Sequence, residues 1–565
     1  MTLQLVDPLV LQHRLFAELS RMFGAEVPLY DKSLLVNRVC NETAGALLTE
    51  LFRGFSVSAE LLAQTGGERH GAIRIGRADE YRWVARYFAA FGMEPHNFYD
   101  MTQVGAKSQP IIATAFRSRQ QPDHRIFCSL LMTDFFAPPM RARLEALLAQ
   151  RDIFSAAVRA LIEKNEQQGG LEASDAAQLI HEGVTRIFRW TGRARDHAFY
   201  HELCAAGFKI AADIACFDSH HLNHLTPNTL GMDLFTAAMK FCLGEMDEAT
   251  FRTRAVIVLG RWRDRADRDF LLLNFKHLTA TKIATWQRGE VSASRLGDLV
   301  DGLARRLQQP DLVLSALKHA GFKDTTEGPP DGTPVLLRQD AYRALTEPVE
   351  FREADGTTVQ GKHTARFGEI EQRGYAMTPR GRSLYDSCLA AAETARCRQP
   401  ALAKHDFLTH ERVDAEAFAE IPQQLSALLD QGLVYATYAA TADGLAASRE
   451  GKLTTTNLRE LRQLGYVEAV GLRYEDFLPV SAAGIFASNL NQYGTQATSL
   501  PWPTYTQEML EEILGRRIVD PNATYAAVDA ASRLATFGEL GLLEQLDPAE
   551  HARLTARVEA NSRPS

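Results

Sequence analysis

The apolar positions of this chain fall mostly at helical spacing. Asp7 stands where a helix cap belongs and Pro8 at the first helical position, and Leu11, Leu15, Leu19 and Met22 then form one stripe. The pattern predicts helix through 1–64, through 140–210, where a run from Pro138 ends at a Gly-Gly stop, and through about 233–320. Residues 500–565 read as helix again, with Asp520-Pro521 as a start signal. Between these blocks lie stretches with strand character: "GAIRIG" (71–76), "RIFCSLLM" (125–132), "ACFDSHHLNHL" (215–225), "PVLLRQ" (334–339) and "ARFGEIEQRGYAM" (365–377). The Pro/Gly-rich "GPPDGTP" (328–334) marks a loop or seam. The expected class is α+β, a small sheet or barrel wrapped in much helix.

Composition narrows the classes. With 565 residues, 45% apolar and 23% charged, the chain is long enough to exclude water from a reaction site. A net charge of −8 argues against a nucleic-acid partner. No stretch approaches the ~18 apolar residues of a membrane span, and the N-terminus lacks the pattern of a secretory leader. The seven cysteines are scattered without a C-x-x-C pair, a reduced pattern that points to the cytoplasm. The charges of "WRDRADRD" alternate in sign, which suits a solvated helix face. Dinucleotide, P-loop, serine-elbow and H-E-x-x-H signatures are all missing, which shifts expectation toward chemistry carried by a metal or by the substrate.

Candidate chemistry sits in the strand-like pieces. Alternation in "RHGAIRIG" sets His70, Ala72 and Arg74 on one face. "DSHHLNHLTP" (218–227) holds three of the chain's 16 histidines; read as a strand, it sets His220, Leu222 and His224 on one face and His221 on the other. Read as a helix, His220 and His224 would form an i,i+4 metal clip. "RFGEIEQRG" sets Phe367, Glu369, Glu371 and Arg373 on one face. Carboxylates pointing inward from a sheet are costly unless paired or metal-bound. Two histidines and a carboxylate from separate strands would make a facial triad with open positions, as in non-haem Fe(II) oxygenases, and would also suit zinc or manganese.

Those segments, with "FCSLLMTD", "PVLLRQDAYRAL" and "DFLPVSAAGIF", resemble the 2-oxoadipate dioxygenase/decarboxylase family over about residues 20–490. The resemblance implies a vicinal-oxygen-chelate type core, an incomplete β-barrel with extensive helical additions. It implies Fe(II) held by His70, His224 and Glu369, with Glu371 the runner-up ligand and His220 behind them. It implies that Arg74 grips the far carboxylate of a 2-oxo diacid, with Val480 and Ser481 at the pocket wall and Arg338 and Gln339 as weaker contacts. The implied reaction turns 2-oxoadipate and O₂ into 2-hydroxyglutarate and CO₂, as in lysine breakdown. Another 2-oxo acid, aromatic ones included, or a non-catalytic binding role on the same scaffold are the alternatives. The expected layout is a helical segment at 1–64, a catalytic core at 65–239 and 323–495, a helical insertion at 240–322, and a helical segment at 496–565. No oligomeric state is legible.

Overall fold

The computed structural model describes residues 4–102, 108–323, 326–398, 407–478 and 503–561. Helix Pro8–Glu26 starts as its sequence dictates: the Asp7 carboxylate accepts from the Leu9 N–H at 2.7 Å, and Leu11, Leu15 and Leu19 are buried. Pro28 opens the next helix, Pro28–Leu51. Further on, helix Ala156–Gln168 ends at Gly169, whose φ of 71° is the left-handed stop that glycine provides. No helix among the described residues is long and apolar enough to cross a membrane.

Eight strands position the site: β1 (Arg69–Ile75), β2 (Glu94–Asp100), β3 (Ile111–Arg117), β4 (His124–Leu131), β5 (Arg193–Arg195), β6 (His224–Pro227), β7 (Leu337–Arg352) and β8 (Thr358–Arg373). One sheet runs β2-β3-β4-β1-β6, with β1 parallel to β4 and antiparallel to β6. A second runs β8-β7-β5, built on the long β7–β8 hairpin. The hairpin docks on the edge of the first sheet. Thr229 N–H donates to the Glu371 carbonyl at 2.9 Å and Phe367 N–H to the Asn223 carbonyl at 3.2 Å. Among the described residues this strand order stays open rather than closing into a barrel.

The structure mixes many helices with small sheets, as far as the α+β expectation went, but several segments differ from their sequence pattern. Residues 215–225 are not one strand: Ala215 and Cys216 end helix Lys209–Cys216, Phe217 makes a single bridge to Ala194, and the strand itself is His224–Pro227. That helix is buried nearly all round and only eight residues long, too short for its pattern to be told from a buried strand. In 334–339, the strand starts at Leu337. Strands β2, β3 and β5 carry no clear alternation, the first two because β3 is buried on both faces and β2 irregular, with a register shift between His96 and Tyr99. Helices do fill much of 240–322, and Ala293–Leu307 packs on Pro28–Leu51, sharing a core that includes Leu47, Leu296, Val300 and Leu303.

Two bulges interrupt β8, between Thr364 and Arg366 and between Arg366 and Gly368, immediately before Glu369. Bulges re-aim the residues that follow them. Gly368 faces Tyr342 across the hairpin, and a Cβ there would lie 1.7 Å from the tyrosine hydroxyl. Only glycine lets that ring cover the back of the strand carrying Glu369.

Candidate metal centre

The register of β1 builds the site. His70 pairs with Thr226 and Ala72 with His224 across to β6, so His224 joins the face already holding His70, Ala72 and Arg74. Docking of β8 on β6 brings Glu369 over that face. The ligand atoms of His70, His224 and Glu369 lie within 4.8 Å of one another, and all three side chains are buried. Glu369 Oε2 is 3.0 Å from His70 Nε2 and 3.7 Å from His224 Nε2. It also accepts from the Thr226 hydroxyl at 3.1 Å and from Gln339 Nε2 at 3.4 Å. Glu369 Oε1 and His224 Nδ1 have no hydrogen-bond partner among the described residues.

The second glutamate of the strand is placed differently. Glu371 accepts from His70 Nδ1 at 2.7 Å, from Arg373 at 2.8 and 3.0 Å, and from Arg125 at 3.4 Å. Both of its oxygens are therefore committed. A carboxylate only accepts, so the Nδ1 of His70 carries the proton and Nε2 is turned toward Glu369 and His224. Arg125 in turn pairs with Glu475, which also meets Lys276 of the 240–322 block at 3.2 Å.

The electrostatics follow. Burial opposes charge on Glu371, but Arg373, His70 and Arg125 outweigh it and hold its pKa well below the ordinary value. Burial lowers the pKa of His224 to about 4, so its imidazole is neutral near pH 7, the form that binds a metal. Burial would also lower that of His70; Glu371 and Glu369 together raise it instead. Without a cation, a proton must sit between His70 Nε2 and Glu369 Oε2. A metal ion would replace that proton and use the uncommitted carboxylate oxygen. Two imidazoles and a carboxylate in a buried pocket thus fit a divalent transition metal.

Arg74 lies on the same face, buried, and is ion-paired with Asp213 of helix Lys209–Cys216. Asp213 is itself held by His363 Nε2 at 2.7 Å and lies 3.2 Å from His221 Nε2, while His363 Nδ1 meets the Tyr200 hydroxyl at 2.9 Å. Asp213, His221 and His363 form a second buried ligand-like group. Its lone carboxylate is already matched by Arg74, so we read it as the anchor of that arginine. The local acid was not anticipated from sequence, because Asp213 is remote and inside an apolar run.

The remaining candidates separate. His220 turns away from the centre to Glu80, 3.4 Å away, so it does not stand behind the metal ligands. His221 goes to Asp213. Gln339 reaches the centre, whereas Arg338, on the other face of β7, pairs with Asp233 at 3.0 Å. Val480 and Ser481 lie outside the described residues.

Comparison with known proteins shows the family of the chain. The family model for 2-oxoadipate dioxygenase/decarboxylase matches residues 15–246 and 298–489. The chain belongs to the 2-oxoadipate dioxygenase/decarboxylase family. A Pseudomonas putida protein of that name is 34% identical over 550 residues, covering 95% of this chain and 98% of its own. Its Escherichia coli namesake is 32% identical over 91% of this chain and 95% of its own. Among solved structures, the hydroxyglutarate synthase from Pseudomonas putida in complex with 2-oxoadipate superposes with a TM-score of 0.68 at 33% identity. It covers 95% of this chain and 99% of that one. The family match passes over 247–297, within the helical block whose Lys276 reaches the buried charges behind Glu371.

Proposed function

We propose that this chain is an Fe(II)-dependent dioxygenase that converts 2-oxoadipate and O₂ to 2-hydroxyglutarate and CO₂. The observation that carries the reading is the convergence of His70, His224 and Glu369 on the sheet face that also bears Arg74. The names of the family relatives and the 2-oxoadipate bound to the Pseudomonas putida enzyme support it. The related-fold reading, a vicinal-oxygen-chelate type core, belongs to the same proposal, as does a cytoplasmic setting.

Bound Fe(II) would supply the redox chemistry that couples loss of CO₂ to oxygen insertion. The 2-oxo acid is the reductant, so no nicotinamide is needed and the atoms balance as written. The protein's own groups do the rest. Glu371 fixes the His70 ring and its tautomer. Thr226 and Gln339 orient the Glu369 carboxylate. Burial of all three ligands keeps bulk water from the reacting atoms. Arg74, four strand positions and ~13 Å along from His70, grips the far carboxylate of the diacid.

The direct test is anaerobic loading with Fe(II), then O₂ uptake and CO₂ release on adding 2-oxoadipate. One CO₂ per O₂, with 2-hydroxyglutarate as product, is expected. Turnover of a different 2-oxo acid only would move the substrate; none with any 2-oxo acid, despite bound metal, would overturn the reading in favour of a binding protein. Arg74→Lys keeps a cation for Asp213 but loses the planar fork. It should lower kcat/KM for 2-oxoadipate by about a hundredfold, equivalent to ~3 kcal/mol, with metal content unchanged. Loss of metal in parallel would make Arg74 structural.

A further inference from the structure

The face that carries the metal ligands extends beyond them in an ordered way. In the parallel β1–β4 pair, His70 is level with Arg125, Ala72 with Phe127, and Arg74 with Ser129. Partners in register point to the same side, and successive rungs on one face are about 7 Å apart. Other contacts agree with that orientation: Arg125 reaches Glu371, and Phe477 packs edge-on against both His70, at 5.0 Å between ring centres, and Phe127, at 5.6 Å. From one end to the other, the rungs of this face therefore read His70 with Arg125 and Thr226, then Ala72 with Phe127 and His224, then Arg74 with Ser129.

Ser129 is the unexplained member. It is 1% exposed, and its hydroxyl has no hydrogen-bond partner among the described residues. A buried hydroxyl with no partner is a net destabilisation unless something else uses it. Its neighbour in register is Arg74, which the salt bridge to Asp213 holds in place.

We propose that Ser129 is a specificity-determining residue: with Arg74 it receives the far carboxylate of the substrate, while Ala72 and Phe127 form the floor beneath the methylene chain. The three rungs then measure a 2-oxo acid that ends in a second carboxylate, three methylenes from the oxo carbon. This rests on the dioxygenase reading above and adds a residue and a length rule to it.

The test is Ser129→Ala in the Fe(II)-loaded full chain, with 2-oxoadipate compared against 2-oxohexanoate, which lacks the far carboxylate. Where 2-oxohexanoate is not turned over, its inhibition constant against 2-oxoadipate takes the place of its kcat/KM. The preference for the diacid should fall about tenfold, mainly through KM, as expected for one hydrogen bond to a charged group. The melting temperature should hold or rise, because an unpaired hydroxyl is removed. An unchanged preference, or a lowered melting temperature with both acids impaired alike, overturns the proposal. Wild-type protein inactive on 2-oxoadipate would instead overturn the functional reading itself.

Discussion

Glu369→Gln is expected to lose metal retention and most turnover while leaving the metal-free fold in place. The amide keeps the shape of the side chain and its bond from Thr226, but a neutral oxygen is a poor ligand beside two imidazoles. Loss of one charged ligand removes several kcal/mol from the stabilisation a bound metal gives the reacting atoms, so kcat should drop at least about a hundredfold. Metal per chain, kcat and the melting temperature of the metal-free protein are the three measurements. A variant that retains stoichiometric iron would remove Glu369 from the ligand set.

Glu371→Gln should instead cost mainly fold stability, with a smaller loss of metal affinity. Glu371 is fully buried between Arg373, Arg125 and His70. Removing its charge leaves Arg373 without the partner at 2.8 Å and weakens the compensation of Arg125. Breaking a buried pair from one side costs about 3–5 kcal/mol. Metal affinity should fall about 10–100-fold, because His70 loses the acceptor that fixes its tautomer. The pH dependence follows from the depressed pKa of this carboxylate. In the wild type its contribution is complete above the ordinary carboxylate value and is lost as pH falls through the lower, folded value. The gap in unfolding free energy between wild type and variant should thus be full at pH 7 and shrink only in strong acid. Denaturant titrations of both metal-free proteins at several pH values give that gap. A stable Glu371→Gln protein devoid of metal, beside a metal-replete Glu369→Gln protein, would exchange the two roles.

These two glutamates show where sequence reading stops. Alternation puts Glu369 and Glu371 on one face but says nothing about what approaches each. Arg125 comes from β4 and Glu369's neighbour Thr226 from β6, far away in the chain. The polar residues of "RIFCSLLM" were a usable signal: Arg125 and Ser129 alternate with apolar positions, and both prove to lie on the site face. The histidine run was less informative, because an apolar helix ending at Cys216 looked like the start of a strand.

What the sequence alone determined is local. The period of two in β1 puts His70 and Arg74 on one face, Asp7-Pro8 and Asp520-Pro521 start helices, and residue types suited to a metal and to a carboxylate recur in short strands. Backbone stereochemistry and capping act within a few residues, so they can be read along the chain. Tertiary structure decided the rest: which glutamate keeps an uncommitted oxygen, that Asp213 and His363 anchor Arg74, and that Ser129 lies level with it. Those outcomes depend on strand register and on buried charge balance between distant segments. Neither quantity exists until the β7–β8 hairpin has docked on β6 and β4 has paired with β1.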